Sequence, residues 1–143
     1  MLADVDPSTL SETELMAWAL PRAANQFWML SEPERATAFL RTTRGRVSTP
    51  AAQTTLDALS ATFAMNAGSP SRAKQIADEV LASPAADDTA VGWAAAAAAL
   101  SSARMGRFGE VDALAERAIA AGASRAAAVH QRLRSDDGAG DGR

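Results

Sequence analysis

Cysteine and tyrosine are absent from the 143-residue chain, and His130 is its single histidine. Without cysteine there can be no disulfide framework, no thiolate zinc site and no thiol nucleophile. A nucleophilic triad would need a hydroxyl and an acid to meet His130 in space, and a metal site would need further ligands beside it. We therefore expect a protein that is not an enzyme, with no catalytic residue, metal or cofactor, and with His130 on a solvated surface.

Large apolar side chains are also scarce. Leucine, isoleucine, valine and phenylalanine number 24 together, whereas alanine alone numbers 36. A content of large apolar residues below roughly 20% brings globular folding into doubt, although the net charge of -3 does not favour disorder. Because alanine is the best helix former but buries little area, we expect strong local helices around a thin core.

Long apolar runs and an excess of one charge are lacking as well. The most apolar segment, Val91 to Leu100, has ten residues, and a bilayer span needs about 20. The first ten residues contain two acids and no basic residue, which argues against a signal peptide. With 22% charged residues and a net charge of -3, we expect no direct binding to nucleic acid or membrane, and a cytoplasmic location.

The sequence contains helix signals and no strand signal, which predicts an all-α fold. Capping boxes, N-caps followed by proline, and turn glycines mark the expected helix boundaries. Helices are expected to begin at Ser11, Arg22, Ser31, Thr49–Pro50, Ser69–Pro70, Asp88, Phe108 and Ser124. They are expected to end at Leu20 (where Pro21 breaks or kinks the first helix), Leu30, Arg44 with Gly45 as C-cap, Asn66, Ser83, Met105, Ala121 with Gly122 following, and Arg134.

A repeat of 37–38 residues runs along the chain. At an offset of 38, the segment 68–73 superposes on 106–111, Ala61 falls on Ala99, and Leu81 falls on Ile119; at an offset of 37, Trp28 falls on Met65. One helix pair cannot bury its own apolar face, but three stacked pairs can. The alternative is a compact helix bundle without a repeat.

The segment Gly106–Gly122 resembles the second half of a tetratricopeptide (TPR) repeat, with a glycine, an aromatic residue two positions later, and spaced small residues. The expected fold is therefore a TPR-like α-solenoid of about three antiparallel helix pairs plus a C-terminal helix. It forms a single helical-repeat domain, 1–134, with pairs at about 11–45, 49–84 and 88–122 and a final helix at 124–134, and residues 135–143 form a disordered tail.

A narrower resemblance covers about Ala23 to Gly122. The phrases Pro33 to Leu40 and Gly106 to Ala118 are similar to the helical sensor region of large ATP-dependent LuxR-type bacterial transcription regulators, in particular actinobacterial ones. In that family a nucleotide-binding module precedes the TPR-like superhelix and a helix-turn-helix follows it. This chain contains neither a G-x-x-x-x-G-K-[ST] loop nor a LuxR-type DNA-binding segment. The resemblance therefore implies a signal-sensing piece of a transcription regulator.

In TPR-type stacks the first helix of each pair lines a concave groove. By the repeat register the groove residues here would be Trp18, Asn25, Trp28, Thr55, Thr62, Asn66, Trp93, Leu100 and Arg104. Tryptophan walls with amide and hydroxyl groups suit a protein or peptide partner, or a small-molecule effector, because aromatic rings supply area and polar groups fix orientation. The alternative is that the tryptophans fill the alanine-rich core.

Three function hypotheses follow. The first is a non-enzymatic helical-repeat module for protein or ligand binding, similar to the LuxR-type sensor segment. The second is a stand-alone adapter or oligomerising helical bundle with no role in transcription, which would self-associate through open repeat ends. The third is an enzyme whose catalytic residues the sequence does not reveal. The cluster Arg41, Arg44 and Arg46 is expected to offset a helix dipole, with anion contact as the alternative.

Overall fold

The computed structural model describes residues 11–139, apart from the side chains at 125, 129 and 136–139. Over that range the chain contains helices and turns and no strand, so the all-α prediction is confirmed for the described residues. The elements are α1 (Glu12–Ala24), a π-helical turn (Asn25–Met29), α2 (Pro33–Arg46), α3 (Pro50–Asn66), α4 (Pro70–Ala82), α5 (Asp88–Arg104), a 3-10 turn (Phe108–Glu110) and α6 (Val111–Ala139).

The helices α3, α4 and α5 begin and end within about one residue of their predicted bounds. Proline occupies the first position of α3 and α4, where its missing N–H group would have no helical partner. Gly68 and Gly106 follow α3 and α5 with φ angles of 91° and 77°. This left-handed conformation favours glycine and ends a helix, so both turn predictions are confirmed.

The first helix differs from its prediction, because Pro21 does not break it. The chain remains α-helical to Ala24 and continues directly into the π-helical turn. Pro21 is exposed, so the carbonyl group that loses its helical donor can be hydrated. Ala19, Ala23 and Phe27 lie buried on the opposite side. Their packing holds the two predicted halves in one helical segment.

The predicted boundaries of α2 are also shifted. Ser31 has a φ angle of 54° and forms no capping box, and α2 begins two residues later at Pro33. At the other end, α2 continues through Gly45 to Arg46. A glycine inside a helix costs about 1 kcal/mol relative to alanine, which the arginines in the last turn partly offset through the helix dipole.

The separate final helix at 124–134 is not observed. Instead α6 runs without interruption from Val111 to Ala139, through Gly122 and Ser124. Alanines lie on both sides of Gly122 and at 126–128, and their high helix propensity outweighs the cost of one internal glycine. Residues 135–139, predicted as tail, lie in this helix, and residues 140–143 lie outside the described part of the chain.

Packing is most extensive among the later helices. Helix α3 packs against α4 and α5, α4 packs against α5, and α5 packs against α6, whereas α1 and α2 contact each other and α3 more sparingly. Two core clusters result. The aromatic cluster contains Leu15, Ala23, Phe27, Ala36, Leu40, Val47, Leu56, Leu59 and Phe63. The alanine cluster contains Ala58, Ala61, Ala77, Val80, Ala90, Ala94, Ala97 and Ala98.

Candidate functional site

Two neighbouring cavities lie along α1, α3 and α5. The first has a volume of about 280 Å³ and is lined by Leu20, Ala24, Trp28, Leu59, Thr62 and Trp93. The second has a volume of about 390 Å³ and is lined by Glu12, Thr13, Met16, Leu20, Thr49, Ala51, Ala52, Thr55, Asp87 and Thr89. Leu20 belongs to both linings, so the two cavities lie next to each other. We call the two cavities together the α1–α3–α5 groove.

Four of the predicted groove residues line this groove. Trp28, Thr62 and Trp93 meet in the smaller cavity, and Thr55 lies in the larger one. These residues come from three helices that begin at positions 12, 50 and 88, a spacing of 38 residues each time. The structure therefore brings four of the predicted residues together, from α3, α5 and the π-helical turn that continues α1.

The two groove tryptophans are held differently. Trp28 is 50% exposed, and its ring stands edge-on to Phe27, with centroids 4.5 Å apart, and to Phe63, at 6.3 Å. Trp93 is partly buried and packs against both core clusters. Trp28 therefore offers a ring that a ligand can cover, whereas Trp93 serves the core and the groove wall at once.

The threonine hydroxyls of the groove are acceptors. Thr55 donates its hydroxyl proton to the carbonyl oxygen of Ala51, and Thr62 donates to that of Ala58, both at 3.1 Å. A hydroxyl has one proton to donate and two lone pairs to accept with. With the proton engaged along the helix, each hydroxyl oxygen offers lone pairs, so this wall of the groove is suited to N–H donors on a ligand.

The acids at one end of the groove cap helices. The Glu12 carboxylate accepts hydrogen bonds from the backbone N–H and hydroxyl groups of both Ser48 and Thr49, just before α3. These bonds, with the Thr49 hydroxyl foremost, lower the pKa of Glu12 from 4.5 to about 2. Asp87 accepts from the N–H of Ala90 at 2.9 Å and so caps α5. Both carboxylates are thus engaged by the protein itself.

Trp18 and Asn25 line neither cavity. Trp18 packs edge-on against Phe39 of α2, with ring centroids 5.5 Å apart, and the Arg22 guanidinium lies 5.4 Å from the Trp18 ring centre. The contact with Phe39 places Trp18 between α1 and α2, on the partly buried edge of the aromatic cluster, and Arg22 of α1 adds a cation–π contact. Asn25 begins the π-helical turn and is exposed.

Asn66, Leu100 and Arg104 also lie outside the two cavities. The Asn66 side-chain amide donates to the carbonyl oxygen of Thr62 at 2.8 Å. The Arg104 guanidinium donates to the carbonyl oxygen of Met65 at 3.0 Å, which links the last turns of α5 and α3. Leu100 is 52% exposed. Arg104, which was predicted to lie in the groove, instead links α5 to α3.

Several residues that line the groove were not predicted, among them Leu20 and the threonines Thr13 and Thr89. The helices α1 and α3 begin 38 residues apart, not 37. Thr13, Ala51 and Thr89 are the second residues of α1, α3 and α5, respectively, and all three line the larger cavity. Leu20 in turn corresponds to Ala58. The equal spacing of the three helix starts was the signal that could have identified them.

A further cleft, with a volume of about 420 Å³, lies between α2, α3 and α4. Its charged lining mixes Arg41, Arg44 and Arg72 with Asp57 and Glu79. Arg44 binds Asp57 through two nitrogen–oxygen contacts, the shorter at 2.7 Å. Since two acids stand against the three arginines and Arg44 is paired, the cleft attracts anions less strongly than its arginine content indicates.

Within residues 11–139, His130 is exposed on α6, and no three acids or histidines are grouped as metal ligands. None of the described helices is both long and apolar enough to cross a membrane. No family model, curated protein or solved structure matches this chain.

Proposed function

We propose that the chain is a non-enzymatic, TPR-like helical-repeat module that binds an extended protein segment in the α1–α3–α5 groove. Its three antiparallel pairs would be α1 with α2, α3 with α4, and α5 with α6. The order of packing supports this arrangement, because α3 contacts both its own partner α4 and the first helix of the next pair, α5. The constant spacing of 38 residues between the first helices supports it as well.

The observation that carries the proposal is that two cavities follow one another along α1, α3 and α5, with Leu20 in both linings. A compact effector would fill one cavity, whereas an extended chain could follow both. The acceptor hydroxyls of Thr55 and Thr62 match the regularly spaced N–H groups of a peptide backbone. The half-exposed ring of Trp28 provides an anchor of the kind that dominates binding energy at interfaces.

We further propose that this module is related to the sensor segments of LuxR-type regulators. The support is the sequence resemblance over about 100 residues, together with a helical fold of the expected class. The sequence lacks the phosphate-binding loop, so ATP binding and DNA binding would belong to other parts of such a regulator. Sequencing the coding locus on both sides tests this relation: an in-frame nucleotide-binding loop or helix-turn-helix supports it, and clean stop codons contradict it.

Peptide binding can be tested with a random peptide library displayed on phage and selected against the full chain. We expect the enriched peptides to bind the wild type and to lose at least about tenfold in affinity with Trp28→Ala, because buried aromatic anchors are commonly worth more than 1.4 kcal/mol. Thr62→Val keeps the shape of the side chain and removes the hydroxyl acceptor, so we expect a smaller loss in the same direction.

Trp18→Phe is the matched control, because Trp18 lies outside both cavities and phenylalanine keeps an aromatic ring beside Phe39. Far-UV circular dichroism and the thermal midpoint establish that each variant is folded. Enriched peptides that bind Trp28→Ala and Thr62→Val as well as they bind the wild type would overturn the assignment of the groove, as would a selection that enriches no peptide.

A further inference from the structure

The last helix pair exposes apolar side chains whose counterparts one repeat earlier are covered. On α3, Ala58 is fully buried and Thr62 is partly buried. The equivalent residues on α5, 38 positions later, are Ala96, which is exposed, and Leu100, which is 52% exposed. Ala96 therefore lies where the preceding pair receives a helix, and Leu100 lies where Thr62 shares a cavity wall with Trp93 of that helix.

The second helix of the pair shows the same difference. Leu81 of α4 is partly buried against the alanine cluster. Its equivalent on α6, Ile119, is 72% exposed. We call Ala96, Leu100 and Ile119 the end surface. An exposed apolar surface of this kind at the end of a repeat array is commonly covered by a capping element or a partner.

The earlier interface indicates what the end surface would bind. The pair α3 and α4 is covered by α5, a helix of 17 residues that packs chiefly through alanine. The end surface should accordingly take an alanine-rich helix of similar length. One such segment exists in the sequence: residues 123–139, the distal segment of α6, which starts three positions before the residue equivalent to the first residue of α5.

The distal segment cannot cover the end surface of its own chain in this conformation. Helix α6 is continuous from Val111 to Ala139, so at 1.5 Å per residue Leu133 lies about 21 Å along the axis from Ile119. Leu133 is 60% exposed, and the described side chains from Ala123 to Ser135 are exposed with it. The chain thus carries an exposed end surface and an exposed helical segment of the length expected for its partner. The continuous helix α6 keeps the two apart within one molecule.

Charge favours a contact between the two halves of α6 from different molecules. Asp112 and Glu116 are exposed on the proximal half, where Arg117 is engaged by the carbonyl oxygen of Leu81 at 3.1 Å. Arg132 and Arg134 are exposed on the distal segment. Arg132 and Arg134 of one molecule can therefore pair with Asp112 and Glu116 of another, although Asp136 and Asp137 also belong to the distal segment and Arg117 keeps its charge.

We infer that the end surface of one molecule binds the distal segment of a second copy, and that the exchange is reciprocal. Each chain then supplies the helix that completes the other chain's last pair, which makes a closed dimer. The inference rests on the repeat arrangement proposed above, but not on ligand binding in the groove.

The mass of the full chain in solution, measured by light scattering or sedimentation, tests the inference. We expect a dimer for the wild type and a monomer for the double variant Leu100→Glu with Ile119→Glu, because two carboxylates in the apolar interface would lose their hydration. Met29→Glu is the matched control: Met29 is 76% exposed but lies between α1 and α2, so this variant should remain a dimer. A wild type that stays monomeric at high concentration overturns the inference, as does a folded double variant that remains a dimer.

Cross-linking shows which molecule supplies the helix. Because the chain has no native cysteine, only the introduced cysteines can react. Single variants Leu100→Cys and Leu133→Cys are mixed and treated with a short bismaleimide. A covalent species joining one chain of each variant supports exchange. A link within single chains of the double-cysteine variant, with none between chains, means that α6 folds back on its own body and overturns the proposal. Peptide binding that persists in a monomer would leave the proposed function standing while this inference fails.

Discussion

The two core clusters of this protein use opposite means to hold helices together, and α3 takes part in both. Its Leu56 and Phe63 side chains enter the aromatic cluster with α1 and α2. Its Ala58 and Ala61 side chains enter the alanine cluster with α4 and α5. One helix therefore packs through large side chains on one side and through small ones on the other.

The difference follows from how closely the helices approach. Backbone contacts are dense among α3, α4 and α5 and sparse between α1, α2 and α3. Alanine at a crossing lets two helices come close, and many small contacts share the stabilisation. Where the helices are further apart, a few leucine and phenylalanine side chains must fill the space. Truncating a side chain should therefore lower the free energy of unfolding most in the aromatic cluster. Enlarging a side chain should lower it most in the alanine cluster.

Phe63→Ala should have the largest effect. Phe63 is 1% exposed and stacks on Phe27 with ring centroids 4.2 Å apart. Truncating a buried phenylalanine typically lowers the free energy of unfolding by about 3–5 kcal/mol, through lost transfer energy and the cavity that remains. Urea unfolding followed by circular dichroism measures the change. Phe108→Ala, at a position 70% exposed, is the control and should change little; similar losses in both variants would contradict the comparison.

Ala94→Leu tests the other cluster. Ala94 is fully buried between helices that pack closely, so three added carbon atoms have no space. Overpacking of this kind costs about 1–3 kcal/mol. The same urea experiment measures the loss, and Ala38→Leu on the exposed side of α2 is the control. If Ala94→Leu were as stable as the wild type, the alanine cluster would not be close-packed.

The sequence predicts this architecture best where local signals and tertiary packing agree. The proline starts at Pro50 and Pro70 and the turn glycines Gly68 and Gly106 determine helix ends that packing leaves unchanged. Packing overrides local signals elsewhere: buried neighbours keep the chain helical through Pro21. Gly122 is an internal residue because the chain around it is alanine.

The predicted groove residues also divide into those that the sequence places correctly and those whose position depends on tertiary packing. The predicted repeat register placed Trp28, Thr62 and Trp93 on the first helices of successive pairs, and these three side chains do line one cavity. It does not predict that the Trp18 ring turns towards Phe39 and Arg22, since that depends on how α2 crosses α1. It also does not predict that the Arg104 guanidinium reaches the carbonyl oxygen of Met65. Such contacts depend on the angles at which the helices cross, and these angles cannot be derived from a single sequence.

Arg104→Met should have a moderate effect that is confined to the alanine-rich half. The variant removes the hydrogen bond between the guanidinium and the last turn of α3 but keeps much of the apolar stem. We expect a loss of about 1 kcal/mol in the free energy of unfolding, since the side chain is partly hydrated. Hydrogen exchange should quicken at the ends of α3 and α5. Arg107→Met, in the exposed turn that follows, is the control; equal effects would show that the contact with Met65 contributes nothing specific.

Acid should weaken the attachment of the first helix to the rest, and the effect of Glu12 should be the smallest of the four. The pKa of Glu12 is about 2 in the folded protein, against an ordinary value of 4.5, because Thr49 and Ser48 donate hydrogen bonds to the carboxylate. A depressed pKa stabilises the fold fully above pH of about 4.5, and this contribution is lost as the pH falls towards 2. The thermal midpoint should therefore drop over that range.

Other carboxyl groups titrate in the same range, so the informative quantity is the difference between the wild type and Glu12→Gln. The glutamine variant should be less stable above pH 4.5, and the two midpoints should converge as the pH approaches 2, where the wild-type carboxyl group becomes neutral. Hydrogen exchange should quicken in α1 more than in the middle of α5, because Glu12 joins α1 to the start of α3 and the middle of α5 packs through alanine. A gap between the two midpoints that stays constant down to pH 2 would show that the carboxylate charge of Glu12 does not hold α1 to the start of α3.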